Sequence, residues 1–286
     1  KSRHPEPDPA AMPELLEGAM VRFDGWKNEG LFETGADTAD RPTRHAGGFV
    51  PMNGGLGEIY RNFFNLRGRR VALDDIVASF YHSFDPRWAT DRFDVRRYDA
   101  LLVDQLAAQL DTDARHVDMA RAQLLYPLFR GRFWTAREAE INQRFGPMLF
   151  PYLEHACIAG AARVPMAGRH LGRVQAEMVR RADPELAALD SAYGFAFADR
   201  PGLRYRADAL RSLARPMWLR RRSYRLRRRG EAVPPMLSAS VLGYVMDRDF
   251  PYTAALFHHA RIGDPACLNR ILTMEWLAQR FGFVHA

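Results

Sequence analysis

Apolar residues recur at three- and four-residue spacing along most of this chain, and that period sets the class of fold it can adopt. It runs through "YDALLVDQLAAQL" (98–110), "ARHVDMARAQLLYPLF" (114–129), "PMLFPYLEHACIAGA" (147–161), "HLGRVQAEMVRRA" (170–182) and the closing "PACLNRILTMEWLAQRFGF" (265–283). Alternating runs are scarce, and "FVPM" at 49–52 is the best strand candidate. Asp183 before Pro184 and Asp264 before Pro265 read as helix starts, because a carboxylate can accept from the first free amides and proline suits the first turn. The expectation is a mainly α chain within an α/β class, with a short parallel strand or two near residue 50.

With 286 residues and 47% hydrophobic side chains the chain can bury a sizeable core. We expect one domain over 1–286, with 1–48 as a connecting segment and 200–236 as an arginine-rich helical segment. The Pro-rich opening "RHPEPDPAAMPELL" reads as a trimmed start. Trp134 and Trp276 sit among apolar residues and are expected in the core.

Only Lys1 and Lys27 among the 41 basic residues are lysines. An arginine bias of this extent fits a GC-rich coding sequence, so the net charge of +7 argues little for a nucleic-acid partner. The strongest local excess lies in 200–229, twelve arginines against Asp208, with Tyr205, Trp218 and Tyr224 interleaved. Such a stretch can grip phosphates and stack bases, yet a charge run is more often a solvated face. Cys157 and Cys267 are too few for a disulfide framework, and no apolar run reaches the length of a membrane span; a cytoplasmic protein without a membrane span is expected. His258 and His259 with Asp264 lack the ligand count of a metal site and read as structural or surface residues.

The stretch with the most chemistry is "NGGLGE" at 53–58, three glycines and a carboxylate after the apolar run. A glycine turn that opens a helix presents amides to a phosphate, and a carboxylate beside that phosphate calls for a cation between them, Mg²⁺ above all. A plain turn explains the residue types equally well.

"NGGLGEIYRNFF" resembles the second nucleotide-binding motif of the asparagine synthetase C-terminal domain, within the PP-loop ATP pyrophosphatase superfamily, and more closely the "GxGGExxRGxx" form of asparagine-synthase-related proteins. The resemblance continues in "YPLFRGRFWTAREAEINQRFGPMLFPYLEHA" and "RVPMAGRHLGRVQAEMVRRADPELAAL", and upstream in "FDGWKNEG", covering about residues 20–200. It implies the C-terminal, largely helical portion of an adenine nucleotide alpha-hydrolase-like domain. It also implies an ATP-dependent carbon–nitrogen ligase that activates a carboxylate as an acyl-adenylate for attack by an amine or ammonia. By that likeness Glu58 would hold Mg²⁺, while Asn53, Gly54, Gly55, Gly57, Arg61, Arg130 and Arg132 would face ATP and its pyrophosphate. Arg173 and Arg204 would stand as catalytic cations.

Two departures qualify the match. The "SGGxDS" loop that cradles ATP does not occur in this chain, so it would come from an N-terminal part of the same parent protein, with or without a glutaminase domain. No lysine follows Lys27, and Arg200, Arg204 and Arg206 are the positional substitutes, able to stabilise charge but not to act as a base. The β-lactam-forming branch carries a tyrosine where Gly55 stands, and is disfavoured. A non-catalytic synthetase-like scaffold and a helical nucleic-acid-binding protein are the competing expectations, and a second copy of the chain stays open as a partner.

Overall fold

The computed structural model describes residues 8–25, 27–81, 85–220 and 233–282. It is mainly helical, as the apolar period requires. The elements are α1 (Met12–Phe23), α2 (Ala36–Thr43), β1 (Arg70–Ala72), α3 (Leu73–Ile76), α4 (Val95–Gln109), β2 (His116–Asp118), α5 (Met119–Gln123), α6 (Ala136–Gln143), α7 (His155–Ala162), α8 (Arg173–Ala182), α9 (Pro184–Ala187), α10 (Leu203–Ala214), α11 (Ala239–Leu242) and α12 (Pro265–Phe281).

Two cores carry the fold. In the first, α1 packs on α12, which buries the stripe formed by Leu268, Ile271, Leu272 and Trp276. The loop after α1 is stitched to α12 by polar side chains: Asn269 accepts from the Phe32 amide at 3.1 Å and donates to the Phe32 carbonyl at 2.8 Å, while Thr273 Oγ1 accepts from the Leu31 amide. Gly30 makes that approach feasible, because its φ is +95° and a Cβ there would fall 2.2 Å from Asn269 Oδ1. The described part of the 1–48 segment thus contributes to the core rather than merely connecting. Asp264 caps α12 as expected, accepting from the Ala266 and Cys267 amides, and Asp183 caps α9 by accepting from the Leu186 amide at 2.8 Å.

The second core joins β1, β2, α3, α4 and α5 around Phe64 and Leu125, both fully buried. Here stands the one named sheet among the described residues, two antiparallel strands pairing Val71 with Val117. The expected strand at 49–52 shrinks to a single parallel bridge between Met52 and Leu149, closed by Asn53 N–H to the Leu149 carbonyl at 2.8 Å and Leu149 N–H to the Pro51 carbonyl at 2.9 Å. Parallel pairing near residue 50 is therefore present, but the described residues hold no parallel sheet, because Pro51 has no amide to extend the ladder.

Several helix boundaries move for local reasons. The 114–129 helix gives up its first turn to β2, since Val117 is needed across from Val71. Residues 147–161 form a helix only from His155, after a 3₁₀ turn at Pro151–Leu153. Tyr126–Thr135 is π-helical, which breaks the 3.6-residue register. That shift accounts for a correction: Trp134, expected in the core, is 36% exposed, whereas Trp276 is buried. The arginine-rich segment is helical over α10, with Arg204, Arg206 and Arg211 exposed; its continuation through 221–232 lies outside the described residues.

Candidate active site

A third apolar cluster, Leu56, Ile59, Tyr60, Tyr126 and Ala161, sits between the motif at 53–58 and the helices behind it. Its organising residue is Leu56, held at φ +74° with its side chain buried. The glycines do something else. Gly54, Gly55 and Gly57 are not left-handed. A Cβ on Gly55 would meet Asn53 Oδ1 at 2.9 Å and Thr135 at 3.0 Å; one on Gly57 would meet the Tyr152 ring at 3.2 Å. Gly54 opens on free space.

The expected cradle of amides is only partly available. Asn53, a candidate ligand, uses its side-chain oxygen to accept from the Gly55 amide at 2.7 Å, and the Gly57 amide donates to the Gly54 carbonyl at 3.1 Å. The chain then enters a four-residue 3₁₀ turn, Gly57–Tyr60, so no helix dipole of consequence points at the motif. Asn53 and Gly55 bond to each other and line neither cavity.

Glu58 and Arg61 lie at the junction of two joined cavities. One, of about 550 Å³, is lined also by Asn62, Phe63, Arg169, His170 and Asp208. The other, of about 370 Å³, is lined by Gly54, Gly57, Tyr152, Gln175 and a set of aromatic rings. Both share Leu171, Gly172 and Tyr205. Arg61 donates to Tyr193 Oη at 3.2 Å and stands over that ring, 5.6 Å from its centre. Tyr126 donates to Glu58 Oε2 at 2.6 Å. Burial first, and then this bond, push the Tyr126 phenol well above its usual range, and Arg130 acts against both.

The other candidates scatter. Arg130 lines neither cavity; it acts on the Tyr126 phenol, and its guanidinium stacks 3.7 Å from the centre of Trp134. Arg132 stands over Phe133 and is exposed. Arg173, first residue of α8, and Arg204, on the outer side of α10, are exposed and line neither cavity. α10 faces the cleft with Tyr205, Ala209 and Leu213, spaced four apart, which turns its arginines outward.

Arg169 holds the cleft floor. It is 4% exposed and donates to the carbonyls of Ile59 (2.6 Å), Val164 (3.1 Å) and Ala161, and its own carbonyl accepts from the Asn62 amide. Burial without a carboxylate partner pulls its pKa down. Nothing in the sequence distinguishes this arginine from its many neighbours. The non-glycine residue Leu171 has φ +58° beside Gly172 at +66°, a strained turn on the cleft wall.

Among the described residues no three His, Cys, Asp or Glu side chains gather around one point. That donor set does not suit a metal caged by protein alone. One carboxylate, with phosphate oxygens and water completing the shell, is the usual way Mg²⁺ is held beside phosphate, and Glu58 and Asp208 are the carboxylates that line the cavities. Comparisons with protein-family models, with curated proteins and with solved structures give no match.

Proposed function

We propose that the cleft belongs to an ATP-dependent amide-forming synthetase of the asparagine-synthetase-like kind, of which this chain supplies the C-terminal, helical portion. One observation carries the reading. Three segments that resemble that family, far apart in sequence, meet at the two adjoining cavities: Gly54, Gly57, Glu58 and Arg61 from the first and Arg169 to Gly172 from the third line one or both, while the second lends Tyr152 to the wall of the smaller and Tyr126 as the hydrogen-bond donor to Glu58.

In this reading a substrate carboxylate oxygen attacks the α-phosphorus of ATP; the new O–P bond gives the acyl-adenylate as the bond to the β-phosphate breaks and pyrophosphate leaves. An amine nitrogen then attacks the activated carbonyl, the bond to AMP breaks, and the nitrogen gives up a proton. Mg²⁺ when bound would neutralise charge developing on the phosphates. Arg61 supplies a fixed positive charge at the centre of the cleft, and Tyr126 orients the Glu58 carboxylate. His170, an imidazole on the wall of the larger cavity, is placed in this reading to take the proton released by the amine. Arg173 and Arg204 have no part in these steps. The PP-loop that cradles ATP would come from an N-terminal part of the parent protein, and location in the cytoplasm goes with the same proposal; among the described residues no helix is long and apolar enough to cross a membrane.

Calorimetric titration of this chain with pyrophosphate, with and without Mg²⁺, tests the reading. Binding that requires Mg²⁺ and falls by about a hundredfold in Glu58→Gln is expected, since metal neutralisation is worth several kcal/mol. Pyrophosphate binding indifferent to Mg²⁺ and to Glu58→Gln overturns it.

A further inference from the structure

The smaller cavity has a wall for which the phosphate chemistry has no use. Tyr193, Phe195, Phe197 and Tyr205 form one aromatic cluster, with Phe195 and Tyr205 5.2 Å apart, Tyr193 edge-on to Tyr205 at 5.7 Å, and Phe195 edge-on to Phe197 at 6.1 Å. Edge-to-face packing leaves ring faces unoccupied. A core cluster would be sealed, yet Tyr193 is 43% exposed and all four rings line the cavity.

A second observation is independent of the rings. Gln175, on the first turns of α8, lines the same cavity, and its Oε1 is buried without a hydrogen-bond partner. Buried acceptors are nearly always paired, and an orphan on a cavity wall awaits a donor. Gly172, left-handed at φ +66°, stands beside it, with Gln175 Oε1 3.6 Å from where a Cβ would sit. Arg61, anchored over Tyr193, adds a positive charge at the cavity's junction with the rest of the cleft.

We infer that this cavity seats a flat aromatic ring bearing an N–H donor and an anionic tail: the ring against Tyr193 and Tyr205, the N–H on Gln175 Oε1, and the tail at Arg61. A volume of about 370 Å³ is in the range of small-ligand sites and suits one ring system. Resting on the proposed synthetase reading, this names the substrate class at the same cleft. Two sources share the chemistry, a purine nucleotide and an aromatic amino acid with an indole N–H.

Calorimetric titrations with AMP, N-acetyltryptophan and phenylacetate distinguish them, the last having a ring and a carboxylate but no N–H. Binding of AMP alone assigns the seat to the nucleotide; binding of N-acetyltryptophan alone assigns it to the acid substrate; binding of both supports the shared chemistry. Tyr205→Leu should weaken the bound probe about tenfold, the usual loss when a stacking ring is removed. Gln175→Leu should bring an N–H probe down to the level of phenylacetate. Phe197→Leu, at a half-buried position, substitutes for Tyr205→Leu if that variant does not fold. Absence of binding by all three probes, or unchanged binding in the variants, overturns the inference. Pyrophosphate with Mg²⁺ is titrated alongside: its binding without any ring binding removes this inference and leaves the synthetase reading, and ring binding without it does the reverse.

Discussion

Tyr126 donates its phenolic hydrogen to Glu58 Oε2 across 2.6 Å, joining a π-helical segment to the glycine motif 68 residues away. A hydrogen bond to a carboxylate is stronger than one between neutral groups. It fixes the Glu58 carboxylate, proposed to hold Mg²⁺, through one of its two oxygens. Tyr126→Phe keeps the ring against Phe63, 4.0 Å between centres, and removes only the hydroxyl. We expect a loss of about 1.5 kcal/mol in urea unfolding, together with weaker Mg²⁺-dependent pyrophosphate binding. A Tyr126→Phe protein with wild-type values of both would show that the bond neither stabilises the fold nor orients Glu58.

Arg169 gives a larger effect by a different route. Replacing it with Leu leaves the Ile59 and Val164 carbonyls without this donor in a buried setting, while the Ala161 carbonyl keeps its bond from the Val164 amide at 3.0 Å. The expected cost is on the order of 2 kcal/mol, about one for each carbonyl left without a donor. Arg169→Lys should recover less than half of it, because an ammonium lacks the planar fork that reaches several carbonyls at once. Equal denaturation midpoints for Arg169→Leu and wild type would rule out a role in holding the cleft floor.

How much of the molecule is legible in its sequence differs by level. The helical class, both aspartate caps and the burial of Trp276 follow from periodicity and residue chemistry, because each depends on neighbours within a few positions. Trp134 and the start of α8 escape the same reasoning because the backbone leaves the regular period there, at the π-helical turn and at left-handed Leu171. Within the site, Gly54, Gly57, Glu58 and Arg61 come from one short stretch, so their shared cavity is readable from it. Tyr126 lies within a segment that carries the family likeness, yet nothing local gives it a role. Arg169, Gln175 and the aromatic wall acquire theirs only through packing between segments separated by scores of residues. Arg132, Arg173 and Arg204 line neither cavity for a related reason: position along a helix says little about which side faces the cleft until its apolar face is known.

A buried relay in the C-terminal core makes stability pH-dependent. Glu275, fully buried, accepts from the Thr253 amide and hydroxyl at 2.6 and 2.7 Å, and that hydroxyl meets His259 Nε2 at 2.9 Å. Burial pulls His259 below its ordinary 6.5, with Glu275 acting in the other direction. The unfolded chain therefore binds this proton more readily than the folded one, so the contribution of His259 is present above about pH 6.5 and is lost as pH falls through its folded value. His259→Gln should flatten the decline of the thermal midpoint on acidification below about pH 6.5 relative to wild type. Parallel profiles for the two proteins would refute the assignment.

The glycines of the motif are separable by what a side chain would strike. Gly54 has a negative or extended φ and no neighbour within 4 Å of an added Cβ, so Gly54→Ala should leave the unfolding midpoint within about 0.5 kcal/mol of wild type. Gly57→Val puts branched carbons into the Tyr152 ring, 3.2 Å from the Cβ position, and that ring packs edge-on to Tyr60 at 6.2 Å. Overpacking at such a contact costs on the order of 1–3 kcal/mol, and the displaced ring would narrow the cavity. Ligand binding should order the variants differently from stability. Gly54→Val, still free of clashes with protein, fills the open space at the motif, so it should depress Mg²⁺-dependent pyrophosphate binding with little change in midpoint. Gly57→Val should depress both. If Gly54→Val bound pyrophosphate as tightly as wild type, the space beside Gly54 would be solvent and not a phosphate seat, and the motif would reduce to the turn that positions Leu56 in its core.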